Sequence, residues 1–137
     1  MGRVLAVDPG SKRVGVAVSD PTGTIAQALA TLPAEPRDTL AARLGELVRE
    51  QEASSIVVGL PRRMDGTEGP EAKAARGLAA ELRKAARVRV ELIDERLTTV
   101  AAERAMIEGG ARRAERRQSI DQVAATLLLQ SHLDSKK

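Results

Sequence analysis

Residues 3 to 7, Arg-Val-Leu-Ala-Val, are apolar at nearly every successive position, and Asp8 closes the run. A strand with no polar face is buried on both sides, which puts it at the centre of a sheet covered above and below. After the turn Pro9-Gly10-Ser11-Lys12-Arg13, the stretch from Val14 to Ser19 is β-branched at alternate positions, and residues 24 to 32 alternate more weakly around Ile25 and Leu29. Three successive strands are expected to form an antiparallel meander.

The remainder alternates helices with strands. Leu40, Leu44, Leu47 and Val48 recur at helical spacing between Thr39 and Glu50, with Asp38 as the expected N-cap. A short apolar strand, Ser55 to Gly59, leads into a Pro/Gly-rich loop from Pro61 to Pro70 and an alanine-rich helix from Glu71 to Ala86. Val88, Val90 and Leu92 then alternate with Arg89 and Glu91 as a fifth strand that ends in Asp94-Glu95-Arg96. A helix is expected over Thr98–Glu108, then an arginine-rich connection over Gly109–Gln118. A final helix is expected over Ser119–Leu133, with Ser119 and Gln122 as a capping box. The order implies an α/β fold in which a five-stranded mixed sheet, a meander plus two β-α-β crossovers, is flanked by helices. A chain of 137 residues fits one domain, 1–137.

Composition narrows the chemistry. With no cysteine, thiolate nucleophiles, thiolate zinc sites and disulfides are excluded, so a metal must be held by oxygen or by the single His132. The absence of Phe, Tyr and Trp removes the rings on which many single-strand binders stack bases, leaving phosphate contact and shape for nucleic-acid recognition. Of the 22 basic residues 17 are arginine, the side chain suited to bidentate phosphate contact. The N-terminus turns polar too early for a secretory leader and no later run reaches bilayer length, so a cytoplasmic protein with no membrane partner is expected.

Asp8 and the Asp94-Glu95 pair both fall at carboxyl ends of strands, where sites of α/β sheets collect. Asp121 precedes Ala124, Ala125 and Leu128 on the inward side of the last helix, where a carboxylate is costly unless partnered. Each has a purely structural alternative: Asp8 as a turn former before Pro9-Gly10, Glu95 as an ion pair with Arg96 or Arg89, Asp121 as a complement to the helix dipole. Taken together, Asp8, Glu95 and Asp121 are candidate catalytic acids and ligands for two Mg²⁺ or Mn²⁺ ions, with Asp94 as a second candidate in the same motif. His132, near the end of the last helix, is assigned no role. Gly10 and Gly15 have the spacing of a phosphate-binding loop, but Val16-Ala17 replaces the required Lys-Ser/Thr pair. Candidate phosphate contacts are Lys12 and Arg13 beside Asp8, Arg62 and Arg63 at the head of the glycine-rich loop, Arg96, and the cluster Arg112, Arg113, Arg116 and Arg117.

Several stretches resemble the YqgF/RuvX family of bacterial proteins, in family order and across nearly the whole chain. They are Val7-Asp8-Pro9-Gly10 with Arg13-Val14-Gly15 and Val18-Ser19-Asp20, then Gly59-Leu60-Pro61 and Met64-Asp65-Gly66-Thr67-Glu68-Gly69. Asp94-Glu95-Arg96-Leu97-Thr98-Thr99 and Asp121-Gln122-Val123-Ala124-Ala125 complete the set. The resemblance implies an RNase H-like fold and Asp8, Glu95 and Asp121 as metal-binding catalytic acids. It implies a nuclease that processes the 5′ end of precursor 16S rRNA in ribosome biogenesis, acting as a monomer or homodimer. The alternatives are a Holliday junction resolvase acting on four-way DNA and a non-catalytic RNA-binding assembly factor. The tripeptide Pro61-Arg62-Arg63 is more basic than the family pattern.

Overall fold

The computed structural model describes residues 2–95 and the backbone of 113–136, with side chains from residue 122 onward in the latter segment. The described residues form strands β1 (Arg3–Pro9), β2 (Arg13–Ser19) and β3 (Ala26–Pro33), helix α1 (Arg37–Glu50), strand β4 (Ala53–Leu60), helix α2 (Pro70–Ala86), strand β5 (Arg89–Asp94) and helix α3 (Arg113–Ser135). The strands make one mixed sheet in the order β3-β2-β1-β4-β5. β1 pairs antiparallel with β2, and β2 with β3, whereas β1–β4 and β4–β5 are parallel. The expected meander and crossovers are present, and β1, with Leu5, Ala6 and Val7 fully buried, is the central strand.

The period-two alternation of a strand sorts the core into two layers. Leu5 and Val7 of β1, Val14, Val16 and Val18 of β2, and Ile56, Val58 and Leu60 of β4 point to one face, where they meet Leu40, Leu44 and Val48 of α1 and Leu78, Ala79 and Leu82 of α2. On the other face Ala6, Ala17 and Val57 meet Ala125, Leu129 and Leu133 of α3. Alanines at the centre of β1 and β2 keep this second face shallow, so α3 packs close. Gln130 fastens it to the sheet margin, its Oε1 accepting the Ala26 N–H at 2.9 Å and its Nε2 donating to the Thr24 carbonyl at 3.0 Å.

Four local expectations are corrected. Ile25 is 57% exposed and lies before β3, because Asp20 accepts the N–H groups of Thr24 and Ile25 and spends them in the turn instead of the ladder. α1 starts at Arg37 after Pro36, leaving Asp38 inside the first turn, where it complements the helix dipole instead of capping. Residues 113–118 belong to α3 and are helix, not a connection, consistent with the good helix propensity of Ala114, Glu115 and the arginines. Ser119 is therefore interior to α3 and no capping box forms with Gln122, whose Nε2 donates to Thr31 Oγ1 of β3 at 3.0 Å. The helix expected over Thr98–Glu108 lies outside the described residues. Among the described residues, no helix is long and apolar enough to cross a membrane.

Candidate active site: a carboxylate pair over Gly59

Asp8 is one residue beyond Val7 of β1, which pairs with Val58 of β4, and in β2 it faces Gly15. Gly59 and Leu60 of β4 pair in turn with Ile93 and Asp94 of β5, and the Glu95 N–H donates to the Leu60 carbonyl at 3.4 Å. Asp8, Gly59 and Glu95 thus occupy the carboxyl ends of three neighbouring parallel strands. Their parity is shared as well: counting by twos from Ala6, Val57 and Ile93, all three fall on the face covered by α3.

Asp8 and Glu95 are separated by the whole width of β4, and Gly59 is what lets them meet. A methyl group at Gly59 would fall on Glu95 Oε2, 3.1 Å from its Cδ and 3.3 Å from Leu128 Cδ2 of α3. The Glu95 carboxyl therefore lies across the bare backbone of β4, under Leu128, and hydrogen-bonds to Asp8. Glu95 is only 8% exposed, a degree of burial that is rare for a glutamate. Burial, then the Asp8 hydrogen bond and the charges of Asp8 and Asp94, push its carboxyl up to about 10. The direction of the shift favours the protonated form of Glu95, which can donate to Asp8.

Asp94 is exposed and has the opposite parity to Glu95, so it stands outside the pair and acts on it through its charge. Residue 121 lies in α3 two turns before Leu128, a spacing that puts both on one side of the helix. α3 runs antiparallel to β1, since Leu133 near its end packs by Val4, so residue 121 is toward the sheet end that carries Asp8 and Glu95. Its side chain lies outside the described residues. Among the described residues no three His, Asp or Glu side chains come together as a metal-binding group; the cluster is the pair. Two carboxylate-bearing residues with oxygen donors only, one of them buried and protonated, suit a hard divalent cation that would replace the proton.

The basic candidates divide. Lys12 is exposed in the β1–β2 turn, which is tight enough that a side chain at Gly10 would strike the Arg13 carbonyl. Arg62 is partly engaged within the protein, 3.6 Å from Glu68 Oε2, and its buried Nε has no hydrogen-bond partner among the described residues. Arg63 is exposed. Arg113, Arg116 and Arg117 fall in the first turns of α3, and only their backbone is described; Arg96 and Arg112 lie outside the described residues. His132 sits at the opposite end of the sheet, 3.6 Å from Glu91 beside a cavity of about 350 Å³, and burial lowers its pKa. At the carboxylate end two further residues bear on the site, and neither is among the candidates expected from the sequence. Gly59 contributes only the absence of a side chain, and its one signal is a glycine interrupting a β-branched run at a strand end. Arg37 donates to the Ser11 carbonyl at 3.2 Å and so brings a further guanidinium to the turn after Asp8.

The family model described as "RuvX: Holliday junction resolvase" matches residues 2–135. Among curated relatives named "Putative pre-16S rRNA nuclease", one from Roseiflexus sp. is 46% identical over 136 residues, covering 99% of this chain and 96% of its own length. Another, from Pelotomaculum thermopropionicum, is 48% identical over 135 residues, covering 98% and 88%. Among solved structures, Thermus thermophilus RuvC in complex with a Holliday junction substrate aligns with a TM-score of 0.63 at 16% identity, over 99% of this chain and 96% of that one. The fowlpox virus Holliday junction resolvase aligns with a TM-score of 0.63 at 14% identity, over 98% and 99%. The fold is therefore RNase H-like, of the kind seen in these resolvases.

Proposed function

The chain belongs to the RuvX family, and from that premise we propose that it is a divalent-cation-dependent nuclease that processes the precursor of 16S rRNA in the cytoplasm. The observation that carries this reading is the buried Glu95 carboxyl pressed against Asp8 over a glycine. A structural role alone does not account for it, because an apolar residue would fill the same space without the cost of burying an ionisable group.

Asp8, Glu95 and Asp121 would hold the ions, for which Mg²⁺ or Mn²⁺ fits the oxygen-only donors. When bound, a pair of such ions supplies positive charge that lowers the pKa of an attacking water and stabilises the leaving oxygen of the phosphodiester. The protein contributes alignment: β1 and β5 fix two carboxylates from one rigid sheet, and Asp121 is proposed as the third ligand from α3. With a cation bound, Glu95 would act as a carboxylate and its proton would pass to solvent. Lys12, Arg13, Arg62, Arg63, Arg96, Arg112, Arg113, Arg116 and Arg117 are proposed to hold substrate phosphates around this pair, neutralising charge without reading sequence.

The family description favours a second reading, cleavage of four-way DNA. Digestion of a precursor 16S rRNA fragment and of a four-way DNA junction in Mg²⁺ or Mn²⁺ separates the two. Wild type is expected to cut the RNA, and Asp8→Asn to cut neither while melting like wild type and still binding RNA, because the substitution removes ligand charge without changing size. Preferential cutting of the junction by a species with dimer mass would favour resolution. RNA binding without cation-dependent cleavage would make the protein a non-catalytic assembly factor.

A further inference from the structure

We propose that residues 62–68 form a rigid prong whose tip, Met64, packs against a base left exposed where the nucleic-acid substrate is distorted beside the phosphate to be cut. The inference rests on the nuclease reading and assigns a specific contact within it. Met64 is 83% exposed, the more exposed of the two large apolar side chains that stand out from the described surface. Its position is held by a network of hydrogen bonds. The Gly66 N–H donates to the Arg63 carbonyl at 2.8 Å, which makes Met64 the first corner of a β-turn, and the Arg63 N–H donates to the Thr67 carbonyl at 2.9 Å. Gly66 adopts a φ of 89°, as such a turn requires, and Asp65 Oδ1 accepts from the Thr67 N–H at 2.9 Å and its hydroxyl at 2.6 Å. At the base, Arg62 and Glu68 form a β-bridge, and Arg76 of α2 clamps Glu68 with two hydrogen bonds of 2.8 and 2.7 Å.

A turn so fully bonded is expected to hold its apolar corner in water instead of letting it fold back. The prong leaves the sheet right after Leu60, whose carbonyl takes the Glu95 N–H, so it rises at the carboxylate end. Arg62 and Arg63 immediately precede the tip and supply charge for the phosphates on either side of an engaged base. The chain has no Phe, Tyr or Trp, and its single His132 sits at the opposite end of the sheet, so the exposed thioether of Met64 is the apolar side chain this end offers to a base. Methionine is among the residues that proteins insert at unstacked base steps.

The test uses a hairpin RNA with a single-stranded 3′ extension and 2-aminopurine at the first unpaired position, bound in Mg²⁺ by Asp8→Asn to prevent cleavage. Binding is expected to raise the fluorescence, and Met64→Ala in that background to remove the rise while Met64→Leu keeps it. In the active protein, Met64→Ala should slow cutting of the same hairpin about tenfold, within the range for losing one base contact. Cutting of an unstructured RNA of equal length should stay within about twofold, as for an ordinary surface substitution. Met64→Ala matching its parent in fluorescence and rate would overturn the prong alone. Wild type cutting neither RNA would overturn the nuclease reading and the prong with it.

Discussion

Glu95→Gln is expected to abolish cleavage and, without divalent cation at alkaline pH, to melt at a higher temperature than wild type. The Glu95 carboxyl keeps its proton in the fold up to about pH 10, whereas in the unfolded chain it loses it near the ordinary value of 4.5. Between those limits the folded state binds more protons than the unfolded state, so the stability contributed by this group is full below about pH 4.5 and declines as pH rises toward 10. Glutamine has the same shape, can donate a hydrogen bond to Asp8 and does not titrate. Melting curves of the two proteins should therefore converge near pH 4.5 and separate upward, with the variant increasingly ahead through pH 9. Mg²⁺ should raise the melting temperature of wild type and not that of the variant, since a ligand that binds only the folded state stabilises it. A variant less stable than wild type across this pH range would mean that the carboxyl is not held protonated in the fold.

Gly59→Ala, a change of one methyl group at a residue with no functional atom, is expected to reduce cleavage about a hundredfold, the scale of a one-ångström misplacement in an active site. The added methyl falls on the Glu95 carboxylate, and the carboxylate is the far end of a flexible side chain. The fold can survive by turning Glu95 aside, but the site cannot, because Asp8 loses its partner. The melting temperature without cation should change little or lose its alkaline decline, as a displaced Glu95 reaches solvent. The check is cleavage rate against pH-dependent melting. Normal activity in Gly59→Ala would show that Glu95 need not lie across β4 for the reaction.

Where the sequence was legible, a simple physical rule connected residue to place. Burial on both faces leaves β1 and β4 as continuous apolar runs, and the sheet order follows from the connections a chain can make between such strands. Asp8 and Glu95 were legible because a carboxylate closing a buried strand has few structural uses. Ile25 misled because the alternation around it counts side chains and takes no account of the Asp20 carboxylate that diverts the amides. The start of α3 was obscured by Ser119, a good cap by type whose preceding residues are equally good helix formers. The approach of Arg62 to Glu68 was not legible, because the two meet only once the loop has turned back on itself. Gly59 was the least legible of all: it acts through space it leaves empty, and that space has meaning only when β1, β4 and β5 lie side by side. RNA and DNA share the phosphodiester on which the pair is proposed to act, so neither of its residues distinguishes them.

At this site a divalent cation is expected to take the place of a proton shared by Asp8 and Glu95. Titration calorimetry with Mg²⁺ or Mn²⁺ at pH 8, in two buffers of different ionisation enthalpy, measures that exchange. Binding should release about one proton in wild type, given a carboxyl pushed up to about 10, and none in Glu95→Gln. Binding to wild type with no proton released, or with the same release in the variant, would contradict it.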